Sequence, residues 1–297
     1  MIKSTKIIFI IKVLIMKKVI FFGRGIIGET CFERLLNKAG KTYDIVAACS
    51  NPDINVWWKS NAIYKKSVKL GIPFISNEDR NEDKILSVIE SESVDLMISL
   101  QHRWVFSDNL LKTVNYQALN LHNARLPDYK GYCTINHAII NGDQTYTSTI
   151  HWIIKEVDQG AIAFEETVPI YHDDTAISLY KKSCTAGVRA FDRLLDCLLE
   201  GQKIPRRSID GQAGRFYKKS DLNEVREIKN PKDIDEMDRK GRGLFFPPFE
   251  PAFYRVNGKK IYVLPKNYAP YTRNTDFLNQ FSEGENQSKY IVLTDSS

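Results

Sequence analysis

The chain has 297 residues, of which 26% are charged and 43% hydrophobic, and its formal net charge at pH 7 is +6. This composition is that of an ordinary globular protein, and the length accommodates one large domain or two unequal ones. The mildly basic balance suits an anionic substrate. Lysine and arginine are spread along the chain rather than clustered, so nucleic-acid binding is not indicated and we expect no nucleic-acid partner.

The five cysteines contain no Cys-x-x-Cys pair. We therefore expect buried thiols of a reducing compartment rather than a disulfide framework or a zinc site. No metal is predicted, because no metal-ligand spacing joins His102, His137, His151 and His172.

Residues 1–15 are MIKSTKIIFIIKVLI, a basic start followed by an apolar run. Lys12 interrupts this run, and Lys17 and Lys18 follow without a small-residue cleavage site. The run is also shorter than the roughly 20 apolar residues that a bilayer span needs. We predict that residues 1–15 are an extension before a natural start at Met16, and that the protein is cytoplasmic with no membrane partner.

From Met16 the sequence alternates between short apolar runs and amphipathic segments. The runs predict strands over 19–22, 45–49, 73–75, 94–100 and 116–122. The segments between them predict helices over 26–39, 56–70, 83–91 and 107–113. Further on we predict a helix over 132–140, strands over 145–157 and 162–170, and a long amphipathic helix over 174–200. This order predicts a Rossmann-like α/β fold with a doubly wound, mostly parallel sheet.

Beyond Pro205 the sequence becomes more polar. Asn230-Pro231 predicts a helix N-cap followed by the first helical residue. Asn257-Gly258 separates two strand-like runs, 252–256 and 259–263, and favours a type I′ hairpin. A polar tail follows, with a strand candidate over 290–293. We predict three parts: an N-terminal extension (1–15), a main domain (16–205) and a small C-terminal region (206–297) that contains the hairpin.

Gly23 to Gly28 form GRGIIG, which matches the Gly-x-Gly-x-x-Gly pattern of dinucleotide-binding turns. A tight strand-to-helix turn in any α/β fold produces the same pattern. The acidic residue expected at the end of the second strand is missing, since Ala48 to Asn51 carry no carboxylate and Asp53 lies beyond Pro52. NAD binding is therefore the weaker hypothesis.

The stretch NLHNARLPDYKG, residues 120–131, begins at the end of a predicted strand. Side chains alternate faces along a strand, so Asn120 and His122 share one face where the strand opens into a loop. Asp158, in EVDQG, ends the next predicted strand and is the candidate third member. A carboxylate within hydrogen-bond reach of His122 would fix its tautomer, and the Asn120 amide would donate to a developing oxyanion. This constellation suits direct acyl transfer to an amine.

A structural alternative stays open on these residues alone, in which Asn120 caps the next element and His122 is a satisfied histidine near the core. A longer series of motifs surrounds them: Leu126-Pro127, Tyr129, Gly131, Asn141-Gly142-Asp143, Val157-Asp158 and Gly160. The series resembles the folate-dependent formyltransferase family over about residues 16–200. The resemblance implies 10-formyltetrahydrofolate as the donor, Asn120, His122 and Asp158 as the catalytic triad, and a structural turn at GRGIIG.

The sequence around the triad looks most like the sugar N-formyltransferases, which act on dTDP- or UDP-linked amino sugars for surface polysaccharide such as the O-antigen of lipopolysaccharide. The tRNA and glycinamide enzymes typically carry Pro-Ser after the histidine, where this chain has Asn123-Ala124. The leading hypothesis is N-formylation of dTDP-4-amino-4,6-dideoxyglucose. The alternatives are a methionyl-tRNA or other folate-dependent formyltransferase, a formyltetrahydrofolate hydrolase and a nicotinamide-dependent oxidoreductase.

The same resemblance implies a pterin pocket built from two loops. Its predicted members are Gln101, His102, Arg103, Trp104, Val105, Phe106, Ile153 and Val157. Substrate contacts are predicted beside the catalytic strand for Asn123, Arg125, Tyr129 and Lys130. The last three suit a diphosphate, and an ordinary surface side chain is the alternative for each.

Phe245 to Val263 resembles a segment that helps to form the dimer in sugar enzymes, so we predict a homodimer. An aromatic hairpin packed on the main domain is the alternative interpretation of this segment.

Overall fold

The computed structural model describes residues 16–52, 61–78, 82–102, 104–269 and 289–292. Its strands are β1 (Lys17–Gly23), β2 (Tyr43–Ser50), β3 (Phe74–Ser76), β4 (Leu96–Leu100), β5 (Ala118–His122), β6 (Tyr129–Gly131), β7 (Thr145–Trp152), β8 (Ile162–Pro169), β9 (Arg215–Tyr217), β10 (Ala252–Val256), β11 (Lys259–Leu264) and β12 (Lys289–Val292). Its helices are α1 (Gly25–Lys38), α2 (Ala62–Leu70), α3 (Glu82–Glu92), α4 (Asp108–Thr113), α5 (Thr134–Asn141), α6 (Ala176–Glu200), α7 (Asp221–Val225) and α8 (Ile234–Gly243).

The central sheet has seven strands in the order β3-β2-β1-β4-β5-β7-β8. The five strands β3, β2, β1, β4 and β5 are parallel to one another, and β7 and β8 are antiparallel to their neighbours. The strand order reverses at β1, and in such sheets ligands bind at the carboxyl ends of the strands beside the reversal. The predicted doubly wound, mostly parallel α/β fold is confirmed.

Strand β1 shows why a continuous apolar run forms the centre of this sheet. Val19 and Phe21 point into one hydrophobic cluster, and Ile20 and Phe22 point into another on the opposite face. All four side chains are fully buried. Helices α1 and α6 cover the first face, and α3 and α4 cover the second. The sheet is therefore buried on both sides, as a parallel sheet requires.

Helix α6 is the long amphipathic helix that the sequence predicts over 174–200. Thr175 and Ser178 form a capping box at its start, in which each hydroxyl accepts a hydrogen bond from the other residue's N–H. Gly201 ends the helix in the left-handed region, at φ 64°. At Gly187 an added Cβ would lie 2.5 Å from Ile27 Cδ1, so a larger residue would displace the α1 side chain beneath it.

The prediction that Asp158 ends a strand is wrong. The strand predicted over 145–157 ends at Trp152, after the pairing register between β7 and β8 shifts at His151. Asp158 lies in the loop between β7 and β8, where its φ of 55° is in the left-handed region. A polar side chain such as aspartate tolerates this region better than most.

Two predicted helix starts also need correction. The helix predicted from Tyr132 begins at Thr134, because Cys133 has a φ of 54° and is not helical. Asn230-Pro231 does not start a helix. Helix α8 begins at Ile234, and its N-cap is Asp233, whose carboxylate accepts a 2.9 Å hydrogen bond from the Glu236 N–H.

The hairpin predicted around Asn257-Gly258 is confirmed. Strands β10 and β11 pair antiparallel, and Asn257 and Gly258 have φ of 49° and 79°, as a type I′ turn requires. The late strand is present as β12, which pairs parallel to β11. Strand β9 was not predicted, and it pairs parallel to β6.

Some predictions fall outside the described residues. The extension 1–15 lies outside them, and so does the first part of the helix predicted over 56–70, which is described from Ala62. No helix in the described part of the chain is long and apolar enough to cross a bilayer. The division at residue 205 and the homodimer stay predictions.

Candidate active site

Strand β5 holds the two polar side chains that the sequence singled out. Leu119 and Leu121 point into the core and are almost fully buried, while Asn120 and His122 are half-buried on the other face. β5 lies between β4 and β7 in the sheet. The alternation of side chains therefore places Asn120 and His122 side by side near the carboxyl end of a central strand.

The Asn120 carboxamide is held by the two neighbouring strands. Ser99 and His151 are its register partners on β4 and β7. The Ser99 hydroxyl donates to Asn120 Oδ1 at 3.1 Å, and Asn120 Nδ2 lies 3.1 Å from His151 Nε2. The His151 ring is 2% exposed, and its Nδ1 lies 3.0 Å from Trp152 O. Because a carbonyl only accepts, Nδ1 carries the proton, and Nε2 of the neutral ring accepts from Asn120.

His122 is oriented by a backbone carbonyl. Its Nε2 lies 2.8 Å from Tyr129 O, so Nε2 carries a proton and donates it to that oxygen. In the neutral ring Nδ1 is then the basic nitrogen. Asp158 Oδ2 is 3.8 Å from Nε2, which is beyond hydrogen-bond length. Tyr129 O, rather than Asp158, therefore sets the tautomer.

Asp158 is a buried carboxylate with several partners. Its Oδ2 accepts a 2.9 Å hydrogen bond from the Gly131 N–H, and its Oδ1 is 3.5 Å from His151 Nε2. Burial alone raises the pKa of this carboxyl, but His122, His151 and the Gly131 N–H outweigh that effect and hold the pKa well below its usual range. Asp158 is therefore ionised at neutral pH and places negative charge beside both imidazoles.

His151 is the member of this site that sequence patterns do not reveal. In the sequence, His151 has only the signal of a position in a buried strand. Its place beside Asn120 follows from the pairing of β7 with β5, which the sequence does not show. The three side chains that the sequence did predict lie close together. His151 Nε2 is 3.1 Å from Asn120 Nδ2 and 3.5 Å from Asp158 Oδ1, and Asp158 Oδ2 is 3.8 Å from His122 Nε2. Their catalytic roles stay a prediction.

A family model described as formyl transferase matches residues 16–195, which is more than half of the chain. The chain belongs to the formyl transferase family. The prediction of a formyl-transferring enzyme is thereby confirmed.

Two curated relatives and one solved structure show how this formyl transferase compares with known proteins. GDP-perosamine N-formyltransferase of Brucella melitensis biotype 1 is 27% identical over 247 residues, which cover 83% of this chain and 92% of that protein. Bifunctional polymyxin resistance protein ArnA of Wigglesworthia glossinidia brevipalpis is 30% identical over 159 residues, which cover 54% of this chain and 24% of ArnA. The N-formyltransferase of Helicobacter canadensis, solved with folinic acid and dTDP-3-aminofucose, has a TM-score of 0.66 at 21% identity, over 83% of this chain and 86% of that one.

The two loops predicted to form the pterin pocket of the formyl transferase lie on one hydrophobic cluster. Phe106 is buried in this cluster, and Trp104 and Ile153 pack against it. Val105 and Val157 are exposed at 66% and 38%. The loops therefore meet on one face of the sheet and present apolar side chains outward.

Two residues at the start of the first loop are held by contacts within the protein. Gln101 has a φ of 52° and accepts a 3.3 Å hydrogen bond from the Tyr180 hydroxyl. His102 accepts from the Trp104 N–H through Nδ1 and donates through Nε2 to Asn77 Oδ1. Burial lowers the pKa of His102 to about 3, so its ring is neutral and braces the loop. Arg103 lies outside the described residues.

The four predicted substrate contacts fall into two groups. Asn123 and Tyr129 are buried, and their polar groups bond within the protein: Asn123 Oδ1 accepts from Ser148, and the Tyr129 hydroxyl accepts from Asn141. Arg125 is half-buried, and its Nε donates to Asp128 at 2.7 Å. The Lys130 backbone pairs with β9, and its side chain has no hydrogen bond or ion pair to the described residues. Of the four, Lys130 has the side-chain charge most available to a ligand.

Lys130 lines a cavity of about 250 Å³. Glu156, Gln159 and residues 209–212 contribute further walls. Lys130 lies between Tyr129 and Gly131, the two residues whose backbone groups bond His122 and Asp158. The cavity is therefore lined by residues from the same two segments that contact His122 and Asp158 or contain Asp158. In the described part of the chain no cluster of His, Cys, Asp or Glu could hold a metal ion.

Proposed function

We propose that this formyl transferase moves the formyl group of 10-formyltetrahydrofolate to the amine of a nucleotide-linked amino sugar. The observation that carries the chemistry is the tautomer of His122. With Nε2–H bonded to Tyr129 O, the basic nitrogen of the neutral ring is Nδ1, which has no hydrogen-bond partner among the described residues and can take the proton that the attacking amine must lose.

The proposed reaction is direct transfer without a covalent enzyme intermediate. The amine nitrogen attacks the formyl carbon, and the new C–N bond forms as the carbonyl oxygen becomes an oxyanion. One Asn120 N–H is used by His151, and the second remains to donate to that oxyanion. His122 takes the amine proton and becomes an imidazolium, which Asp158 stabilises. The bond to N10 of the folate then breaks, and the same proton is returned to N10.

The proposed donor site is the face formed by the loops at 101–106 and 153–158. An apolar, partly exposed face suits the flat pterin ring, and polar backbone groups at its edge would orient the ring. The positive φ of Gln101 and Asp158 is consistent with a functional role, since sparsely populated backbone conformations cluster at ligand sites. The folinic acid bound to the Helicobacter canadensis enzyme supports a folate donor.

The proposed acceptor is dTDP-4-amino-4,6-dideoxyglucose, made for surface polysaccharide such as O-antigen. Support for a nucleotide-linked amino sugar comes from two relatives, the GDP-perosamine enzyme and the structure that holds dTDP-3-aminofucose. Lys130 would meet the diphosphate from the cavity that it lines. Asn123 and Tyr129 would shape the loop that carries Lys130, and Arg125 would contribute positive charge at its start.

The test is an acceptor panel with 10-formyltetrahydrofolate as donor. The panel contains dTDP-, UDP- and GDP-linked sugars with the amine at C3 or C4, initiator methionyl-tRNA, and a sample without acceptor. We expect a formylated dTDP-4-amino sugar and little release of free formate. Formylation of the tRNA but of none of the sugars would overturn the proposal, and acceptor-independent formate release would identify a hydrolase.

A further inference from the structure

Strand β9 lies outside residues 16–195, yet it pairs with β6, whose backbone groups hydrogen-bond to His122 and Asp158. Backbone groups on one edge of β6 hydrogen-bond to the triad: Tyr129 O accepts from His122, and the Gly131 N–H donates to Asp158. The other edge pairs in parallel with β9. We propose that residues 205–217 are a positioning element of the active site, which holds β6 in the register that binds His122 and Asp158. This inference rests on the proposed catalytic roles of those two residues.

The first part of this element is fastened to the strands that carry the Asp158 loop. Trp152 Nε1–H, at the end of β7, donates to Pro205 O at 2.8 Å. Arg207 and Ile162, at the start of β8, exchange two backbone hydrogen bonds of 2.8 and 2.9 Å. The Arg206 guanidinium lies 3.4 Å from the centroid of the Trp152 ring. Residues 205–207 are therefore held by β7 and β8, the two strands whose connecting loop contains Asp158.

The second part is fastened to the loop that follows the catalytic strand. Gly214 packs against Pro127 so closely that an added Cβ would lie 2.1 Å from Pro127 O. The Arg215 N–H donates to Asp128 O at 3.3 Å, and the Tyr132 N–H donates to Tyr217 O at 2.9 Å. Backbone contacts thus fix residues 127–132 along most of their length.

An aromatic pair adds a side-chain contact to this backbone pairing. The rings of Tyr129 and Tyr217 stack with centroids 5.4 Å apart. Asn141 Nδ2 lies within donating distance of both hydroxyls, at 3.0 Å from Tyr129 and 3.2 Å from Tyr217. Gly131 completes the fit, since its φ is 90° and an added Cβ would lie 2.4 Å from Tyr217 O. A shift of β9 would therefore move Tyr129 O and the Gly131 N–H together.

Such a shift would act on turnover more than on substrate binding. The proton acceptor of the reaction is oriented through Tyr129 O, and a misplacement of about 1 Å can cost roughly 100-fold in rate. The proposed folate surface is formed by other residues, whereas Lys130 and residues 209–212 line the proposed acceptor cavity. A positioning role therefore predicts a lower kcat at a nearly unchanged KM for the folate donor, whereas loss of folded protein lowers the amount of active enzyme.

Two pairs of variants of the full chain test the proposal. Gly214→Ala places a Cβ against the Pro127 backbone, and Ala213→Ser is the matched control at the exposed neighbouring residue. Tyr217→Ala removes the stacked ring, and Tyr217→Phe keeps it. We expect Gly214→Ala and Tyr217→Ala to lower kcat by about 10-fold or more with KM for the folate donor within about 2-fold. Ala213→Ser and Tyr217→Phe should stay near the wild-type rate.

The Gly131 amide gives a readout that does not depend on activity. Labelling with [15N]glycine reports sixteen glycines, and the Gly131 proton should resonate downfield because it is bonded to a carboxylate. We expect it to move upfield in Gly214→Ala and Tyr217→Ala and to stay in place in the two controls. Wild-type kcat per folded molecule with an unmoved Gly131 signal in both disruptive variants would overturn the inference. If the wild-type protein transferred no formyl group, the proposed function would fail while the Gly131 shift would still test the positioning.

Discussion

Asn120 and His151 are bonded across β5 and β7, with Asn120 Nδ2 3.1 Å from His151 Nε2. This hydrogen bond leaves one amide N–H for the proposed oxyanion, and it fixes the direction of that N–H because Ser99 holds the amide oxygen from the other side. Asp158 Oδ1 lies 3.5 Å from the same ring nitrogen. The hydrogen bond from Asn120 requires that Nε2 of His151 be the nitrogen without a proton, as the contact of Nδ1 with Trp152 O also indicates.

The first prediction concerns His151. His151→Leu removes the acceptor for Asn120, and we expect kcat to fall by about 10-fold because the oxyanion donor loses its direction. His151→Gln can accept from Asn120 through its side-chain oxygen and should retain more of the rate. Steady-state kinetics at saturating folate and acceptor will compare the two variants. Equal rates in His151→Leu and the wild type would show that Asn120 needs no such support.

The second prediction concerns Asn120 and Asp158, the two other members of the proposed triad. Asn120→Ala removes an oxyanion donor, which typically costs between about 100-fold and 1,000-fold in rate. Asp158→Ala removes the carboxylate beside the imidazole, and we expect a loss of similar size. Circular dichroism and thermal unfolding will check that both variants are folded. Near-normal turnover by Asp158→Ala would refute the role of this carboxylate.

The third prediction concerns stability in acid. The pKa of Asp158 is depressed in the folded state, while that of an unfolded aspartate is about 3.9. The stabilisation from this carboxylate is therefore complete above about pH 4 and is lost as the pH falls toward the folded pKa. The free energy of unfolding in urea, measured between about pH 5 and about pH 2, should depend less on pH in Asp158→Asn than in the wild type. Parallel curves would mean that the native pKa is not depressed.

The fourth prediction concerns Lys130 and the nucleotide sugar. Lys130→Met keeps much of the apolar stem but removes the charge, so we expect KM for the acceptor to rise by about 10-fold with a small change in kcat. Lys69→Met, at an exposed position on α2, is the matched control and should leave KM unchanged. Added salt should weaken binding in the wild type more than in Lys130→Met. An unchanged acceptor KM in Lys130→Met would place the diphosphate elsewhere.

The sequence predicted those parts of the molecule that depend on local patterns. Buried runs such as β1 and β4 are read from composition, and the shared face of Asn120 and His122 follows from the alternation of a strand. The hairpin at Asn257-Gly258 follows from turn chemistry. In each case the signal lies within a few neighbouring residues.

The remaining parts of the site depend on contacts between distant segments. The Tyr129 carbonyl that orients His122 is a backbone group, which has no side-chain signature. His151 becomes informative only through its cross-strand pairing with Asn120. Strands β6 and β9 have three residues each, too few to show alternation, and they pair across a long sequence separation.

The most direct test of the account is the rate of formyl transfer by His122→Ala. Formyl-labelled 10-formyltetrahydrofolate and saturating amino-sugar nucleotide would be mixed with the wild type or with the variant, and the labelled formamide would be measured by mass spectrometry. We expect product from the wild type and a rate lower by at least about 100-fold in the folded variant, since the variant lacks the proton acceptor. Formamide production by His122→Ala at the wild-type rate would contradict it.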